Sequence, residues 1–512
     1  MQEARFEMNL GMMLRRNARH YPNKLAIVVG QDRLSYREFN QRVNRAANAM
    51  LAMGLNKGDK VAMLLPNSLE MLDLFWACAK AGTVIVPLNP MVKGKDMVRL
   101  LQDCEARALY FAPDYTAEVE EMKLELSLIN PERFVSIGGD NDYVKYNKLV
   151  ANASDSEPEV ELSEYDHYNI MYSSGTTGLP KGIVHSHRTR VMYAFLWGME
   201  YGVTFDSVVL SAGNLVFNGT LAFMFPAICA GATYVVLPKF SAEITLNVIQ
   251  NERVSQTMLV PVQVIQLLES PLFDKTDLRS LKVLMTLGSP LAVERKRELE
   301  AKLPGVLYEL YGLTEGFLTT LRPQDVMRKP GSVGPAMPFN EFMIMDEDMQ
   351  PLKLGEVGEI VGRGPTLMPG YYNNPNASTD ALYQGKWMRT GDLGYQDEEG
   401  FIYLVDRKKD MIKSGGISVY PKDIEEVVAT HPLVSEVAVF GVPHPKWDEV
   451  PIAQIILKAG AQIGEEEMLN WINEHVHAKF QRLHGLTFVE SFPRNAAGKT
   501  LKRVMREAYW QK

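Results

Sequence analysis

A large α/β unit of doubly wound sheets followed by a smaller α+β unit is the architecture this chain predicts. Three observations point to it. At 512 residues the chain exceeds what one hydrophobic core organises, so two or more domains are expected. Its first third alternates helical and strand patterns, the order of parallel sheets covered on both faces. After about Asp406 the pattern changes to short strands and helices sufficient for a compact α+β domain.

The elements follow in order. Ser35 and Glu38 make a capping box, and Phe39, Val43, Ala46 or Ala47 and Met50 recur at helical spacing until Gly54 stops the helix. Residues 60–66 (KVAMLLP) read as a short buried strand, 69–80 as a helix and 83–88 as the next strand. The acidic, serine-bearing stretch 151–163 reads as a surface connection. Residues 172–182, YSSGTTGLPKG, then lie between the apolar pairs Ile170-Met171 and Ile183-Val184: a strand, a small loop and a second strand-like segment. Near the end, 421–430 and 465–476 read as helices, and 437–442 and 451–457 as strands.

Bulk properties exclude several classes. A formal charge of −8 and a pI near 5.7 argue against general nucleic-acid binding. No apolar run approaches the ~20 residues of a membrane span, and the opening residues mix charges of both signs, unlike a secretory signal. Cys78, Cys104 and Cys229 are few and far apart, which fits buried thiols in a reducing cytosol and predicts a cytoplasmic location. The pair His185 and His187 has no nearby cysteine or acidic ligands and is expected to be structural.

The glycine-rich loop carries the chemistry. Its glycines allow tight turns, so backbone N–H groups and the hydroxyls of Ser173, Ser174, Thr176 and Thr177 can converge on an anion, with Lys181 supplying a cation. A triphosphate needs such a cradle. A plain glycine-serine linker is the competing reading, and the flanking hydrophobic segments count against it. The loop lacks the four-residue spacing of a Walker A sequence. Residues 497–500 (AGKT) mimic the end of one, but the glycine required five positions before Gly498 is Pro493, so the P-loop NTPase class is excluded.

This loop resembles the phosphate-binding signature of the adenylate-forming superfamily, which includes acyl-CoA synthetases, luciferases and peptide-synthetase adenylation domains. The likeness continues in the family's order through Tyr311-Gly312-Leu313-Thr314-Glu315 and Arg389-Thr390-Gly391-Asp392. It then takes in Asp406-Arg407-Lys408-Lys409-Asp410 with Ile412-Lys413-Ser414-Gly415-Gly416, and finally Pro493-Arg494-Asn495-Ala496-Ala497-Gly498-Lys499. The acyl-CoA synthetase or fatty-acid–CoA ligase branch is the one indicated. The resemblance implies an AMP-binding domain over 1–406 that includes a small β subdomain, a hinge at 407–409 and a mobile carboxy-terminal domain over 410–512.

The implied reaction activates a carboxylate, a poor electrophile at neutral pH, by letting it attack the ATP α-phosphate to give acyl-adenylate and pyrophosphate. Two anions must meet, so preorganised positive charge and hydrogen-bond donors are required. By resemblance Ser173, Ser174, Gly175, Thr176, Thr177, Gly178 and Lys181 hold the β- and γ-phosphates. Thr314 donates to a phosphate oxygen, and Glu315, with Thr177, holds Mg²⁺. Gly288, Ser289 and Pro290 form part of the adenine pocket with Tyr311 against the ring, Glu309, Leu310 and Gly312 also belong to the ATP site, and Asp392 and Arg407 contact the ribose. Lys499 neutralises charge during adenylation. A swing about Lys409 then replaces Lys499 with Lys413, Ser414, Gly415 and Gly416, which line a channel for the pantetheine thiol of CoA. The family's basic-proline pattern is altered at residues 478–484, which puts the contacts to the CoA nucleotide in question.

Singly, these residues have plain alternatives: a turn aspartate at 392, linker charges at 407 and 409, a basic surface around 499. Together and in this order they favour catalysis. For the acyl group, Phe217-Asn218-Gly219-Thr220 places an amide where peptide-synthetase domains carry an aspartate for the substrate ammonium. With Trp197, Phe223 and Met224, this suggests a pocket for an apolar acid, fatty or aryl. The expected substrates are that acid, ATP with Mg²⁺, and CoA, without nucleic acid; a homodimer is left open. Two alternatives stand: an acyl-AMP ligase loading a carrier protein, and a nucleotide-binding sensor that has lost catalysis. Intact Glu315, Asp392 and Lys499 argue against the sensor, and the absence of a legible carrier region favours CoA.

Overall fold

The computed structural model describes residues 7–173, 180–415, 417–494 and 500–510, with the side chain of Ser173 set aside. The chain divides into two compact units, one of Met1–Glu341 with Arg363–Met388, the other of Phe342–Gly362 with Arg389–Lys512.

The first unit is built on two sheets. One has seven strands in the order Val144–Lys145, Phe134–Ser136, Ala106–Phe111, Lys60–Leu64, Val84–Pro87, His167–Ser173, Lys181–Ser186. All its pairs are parallel except the last. The other has eight, in the order Leu318–Leu321, Leu307–Gly312, Val283–Leu287, Gln256–Leu259, Val208–Ser211, Thr233–Val236, Leu25–Val29, Asp32–Ser35, parallel inside and antiparallel at both edges. Its inner strands are buried almost throughout, the reason they read as apolar runs rather than alternations. The expected α/β class with a smaller α+β part is the one observed.

Between the sheets, helix Leu69–Ala81 is buried along its whole length. It packs on helix Tyr36–Ala52, whose start is fixed by the predicted box: Ser35 Oγ accepts from Glu38 N–H (3.3 Å) and Glu38 Oε2 from Ser35 N–H (2.8 Å). Ser35→Ala should cost about 1 kcal/mol, the usual value of an N-cap, and be visible as a small drop in the thermal midpoint. Lys80, flanked by apolar residues near the end of its helix, is buried with Nζ bonded to Asn40 (2.6 Å), Asn44 (2.7 Å) and Glu157 (2.8 Å). Burial pulls its pKa down to about 8. Glu157 belongs to the irregular connection, which this lysine pins to the helix pair.

The second unit holds most of a small sheet, in the order Glu341–Met345, Gly358–Arg363, Trp387–Gln396, Ile402–Arg407. It also holds a sheet in which Asp448–Leu457 pairs with Val434–His444, Ile412–Ser414 and Leu486–Phe488. Helices Pro421–Ala429 and Glu465–His475 close a core of Ile412, Val419, Ile424, Val428, Val439, Ile455, Met468 and Ile472. Among the described residues no helix is long and apolar enough to cross a membrane. The three cysteines form no disulfide, and burial pushes the thiols of Cys78 and Cys104 up to about 12.

Candidate active site

In the first unit, the strands that flank the glycine-rich segment form an antiparallel pair, with Tyr172 opposite Gly182 and Ser173 opposite Lys181. Ser174, Gly175, Thr176, Thr177 and Gly178 lie outside the described residues, as do Gly416 and Lys499. Lys181 Nζ stands 4.8 Å from the ring centroid of Tyr371, a cation–π distance. The Tyr371 hydroxyl donates to Glu315 Oε1 at 2.8 Å. Burial, then the neighbouring carboxylate, push this phenol well up, so it remains a donor. Tyr371 therefore joins the lysine of the loop to the glutamate of the second motif.

Thr314 and Glu315 sit in the turn between strands Leu307–Gly312 and Leu318–Leu321. Gly316 makes that turn possible: its φ is +121°, and a Cβ there would overlap the carbonyl of Thr366. The Glu315 carbonyl accepts from Met368 N–H (2.8 Å), and that of Thr314 pairs with His185 Nε2 (2.8 Å). Glu315 Oε2 takes no hydrogen bond among the described residues, which also hold no cluster of three metal-binding side chains. One carboxylate with a free oxygen fits Mg²⁺ brought in on a triphosphate, since that ion keeps waters and phosphate oxygens in its shell.

Gly288, Ser289 and Pro290 are exposed just past strand Val283–Leu287, where Leu287 pairs in parallel with Leu310. The exposed segment thus lies beside Tyr311 and Gly312, at the carboxyl ends of adjacent strands, where open α/β sheets receive ligands. Tyr311 is half-buried and stands edge-on to Phe317. Leu310 is core, and the buried Glu309 carboxylate is ion-paired with buried Lys296 and accepts from Leu291 N–H. That pair anchors strand Leu307–Gly312 to helix Val293–Lys302.

Of the four residues expected to line an acyl pocket, Trp197 and Met224 are fully buried, Trp197 standing edge-on to Tyr193 at 5.0 Å. Phe217 and Asn218 keep part of their surface, and Asn218 Oδ1 accepts from Arg190 Nη1 at 2.8 Å. The two histidines are internal hydrogen-bonding groups, as expected: His187 Nδ1 accepts from Leu10 N–H (3.3 Å), and His185 contacts Asn169, Arg190 and Thr314.

In the second unit, Asp392 and Arg407 face each other across an antiparallel pair, Nε to Oδ1 3.2 Å, with Asp392 buried. Buried Glu359 holds both Arg389, just before Gly391-Asp392, and Lys408, just past the end of the neighbouring strand Ile402–Arg407, each at 2.9 Å. Lys409 is exposed in the turn that leaves strand Ile402–Arg407. Lys413, Ser414 and Gly415 lie at the tip of the hairpin Ile412–Ser414/Ile417–Val419. Gly415 has φ +58°, donates its N–H to the Trp447 carbonyl (2.8 Å), and leaves no room for a Cβ against the Trp447 ring.

Sequence reasoning missed Tyr371, His185 and Arg190 as organisers of the site. Their partners come from elements 56, 129 and 28 residues away, so no local spacing marks them.

Comparison with known proteins gives concordant results. The family model of the AMP-binding enzyme matches residues 14–372, and that of the AMP-binding enzyme C-terminal domain matches 423–499. The chain is 34% identical over 507 residues to long-chain-fatty-acid–CoA ligase FadD13 of Mycobacterium tuberculosis, covering 98% of each. It is also 34% identical to indoleacetate–CoA ligase of Aromatoleum aromaticum, again over 98% of each. Among solved structures, ATP-bound MatB from Rhodopseudomonas palustris superposes with a TM-score of 0.89 at 31% identity, covering 98% of this chain and 99% of that one.

Proposed function

The chain belongs to the AMP-binding enzyme family and is an acid–thiol ligase, and we propose that it converts an apolar carboxylic acid, fatty or aryl, to its CoA thioester through an acyl-adenylate. In the first step a carboxylate oxygen attacks the ATP α-phosphorus. The bond to the β-phosphate oxygen breaks and pyrophosphate leaves. In the second, the CoA sulfur attacks the acyl carbon, the acyl–phosphate bond breaks, and AMP leaves with the electron pair while the thiol proton goes to solvent.

The observation that carries this reading is the cluster Lys181–Tyr371–Glu315 beside the Thr314 turn, one cation and one carboxylate set at the edge of a glycine-rich loop. Lys181 offsets phosphate charge, and Glu315, with its free oxygen, is suited to the Mg²⁺ that travels with ATP. Asp392, held by Arg407, would accept from the ribose diol. Lys499 would serve the first step, and the segment 413–416 the second, with backbone rotation near Lys409 exchanging them. The reading is tested by acid-dependent exchange of pyrophosphate into ATP and CoA-dependent release of AMP, over a panel of acids. Exchange without any CoA-dependent AMP release would assign the protein to carrier loading instead.

The acid preference rests on Asn218 and Arg190. An amino-acid ammonium entering beside Asn218 would find an amide whose oxygen already serves a buried guanidinium, so a cation instead of a carboxylate lies behind it. An unpaired charge in such a place costs several kcal/mol, and each ~1.4 kcal/mol is a factor of ten. Hexanoate and benzoate should therefore exceed leucine and phenylalanine by at least ~100-fold in kcat/KM. Equal rates for the amino acids would remove the argument.

A further inference from the structure

Arg190 is a buried cation, 1% exposed, that forms no ion pair among the described residues. Its partners are neutral. Nε donates to Asn169 Oδ1 (2.8 Å), Nη1 to Asn218 Oδ1 (2.8 Å) and Nη2 to His185 Nδ1 (3.2 Å), while the rings of Tyr193 and Phe225 lie 5.1 and 5.3 Å away. A guanidinium can only donate, so His185 Nδ1 must be the lone-pair nitrogen. With Asn169 Oδ1 engaged by Nε, the Asn169 amide group also points donors at that nitrogen, 3.2 Å away. The Thr314 carbonyl can only accept, so His185 Nε2 carries the hydrogen and donates across 2.8 Å. One tautomer satisfies every contact. Burial, reinforced by the Arg190 charge, keeps the imidazole neutral.

The imidazole is therefore a strut of fixed polarity. It starts on strand Lys181–Ser186, which leaves the glycine-rich loop, and ends on the turn that presents Thr314 and Glu315. We propose that His185, locked in this tautomer by Arg190, is a positioning residue for MgATP: acting through the Thr314 carbonyl, it holds Thr314 and Glu315 at the reach the metal-bound triphosphate needs. The proposal rests on the adenylating role given above for those two residues. A hydrogen bond behind a metal-binding group typically governs ~10–100-fold in metal affinity.

The test compares His185→Gln, whose amide can still donate toward Thr314, with His185→Asn, which keeps an acceptor near Arg190 but falls short of that carbonyl. Calorimetry would measure ATP binding with and without Mg²⁺, beside pyrophosphate exchange. His185→Asn should weaken MgATP binding ~10-fold and Mg²⁺-free ATP, which keeps only the Thr314 contact, by no more than about threefold, while the KM for the acid stays within about twofold and His185→Gln stays within about threefold of wild type throughout. Wild-type MgATP affinity in His185→Asn would overturn the proposal. So would equal losses in both variants with and without Mg²⁺, since those mark a packing role alone. A wild-type protein that binds MgATP but exchanges no pyrophosphate with any acid would refute the enzymatic reading while the binding comparison still decides the role of His185. A wild-type protein that binds no MgATP would overturn both.

Discussion

Replacing Lys499 with alanine is expected to slow acyl-adenylate formation by ~10²–10³-fold, the scale for losing one preorganised charge-stabilising group. Transfer from a supplied acyl-adenylate to CoA should stay near its wild-type rate, because a thiol attacking a carboxylic-phosphoric anhydride no longer needs two anions brought together. Lys409→Pro should give the opposite split. A proline at 409 fixes φ near −65° and removes one N–H. The turn around it is closed by the N–H groups of Lys408, Asp410 and Met411, so the substitution spares each of those bonds while opposing rotation. Lys409→Ala, which frees the backbone, should leave both steps within a few-fold of wild type and so separate torsion from side chain. Measured half-reactions that fall together in both Lys499→Ala and Lys409→Pro would refute alternation between two catalytic states.

The second large effect is expected at Gly316. Valine there would have to adopt φ +121° and place its Cβ in the Thr366 carbonyl. The backbone strain costs ~1–3 kcal/mol and the overlap a similar amount, so about 2–6 kcal/mol of stability should be lost. The same strain would displace the Thr314-Glu315 turn, and exchange activity should fall more than stability alone explains. Gly305 supplies the contrast. It also has positive φ, +77°, but open space around its missing Cβ, so Gly305→Ala should cost only about 1 kcal/mol and leave exchange unchanged. Thermal midpoints and exchange rates of the two variants check both statements. Equal small losses would contradict the close approach at Gly316.

Elements whose signals are local were legible in the sequence. The capping box places the start of helix Tyr36–Ala52, and the expected helix at 421–430 appears as Pro421–Ala429. The strands expected at 437–442 and 451–457 are longer, Val434–His444 and Asp448–Leu457. Their ends pair through polar residues such as Glu436 and His444, which carry no apolar alternation and so looked like loop. At the site, the motif order singled out Glu315, Tyr311 and Asp392, which the fold places in a turn, near the end of strand Leu307–Gly312 and inside strand Trp387–Gln396. Hidden from it were the groups that hold them. Tyr371, Glu359 and the Asn169–Arg190–His185 network act through contacts between distant segments, and a buried arginine in SHRTR resembles any polar helix start. Lys80 gave a fair hint, being the lone charge in LFWACAKAG, but its partners Asn40, Asn44 and Glu157 could only be found in the fold.

The most direct test of the central claim is a single-turnover experiment with protein in excess over ATP, an apolar acid such as hexanoate or benzoate, Mg²⁺, and no CoA. Quenched samples should contain acyl-AMP and pyrophosphate in equal amounts, and a chase with CoA should convert the acyl-AMP to acyl-CoA and AMP. Thioester formed with release of ADP and phosphate, and no adenylate at any time, would contradict the account.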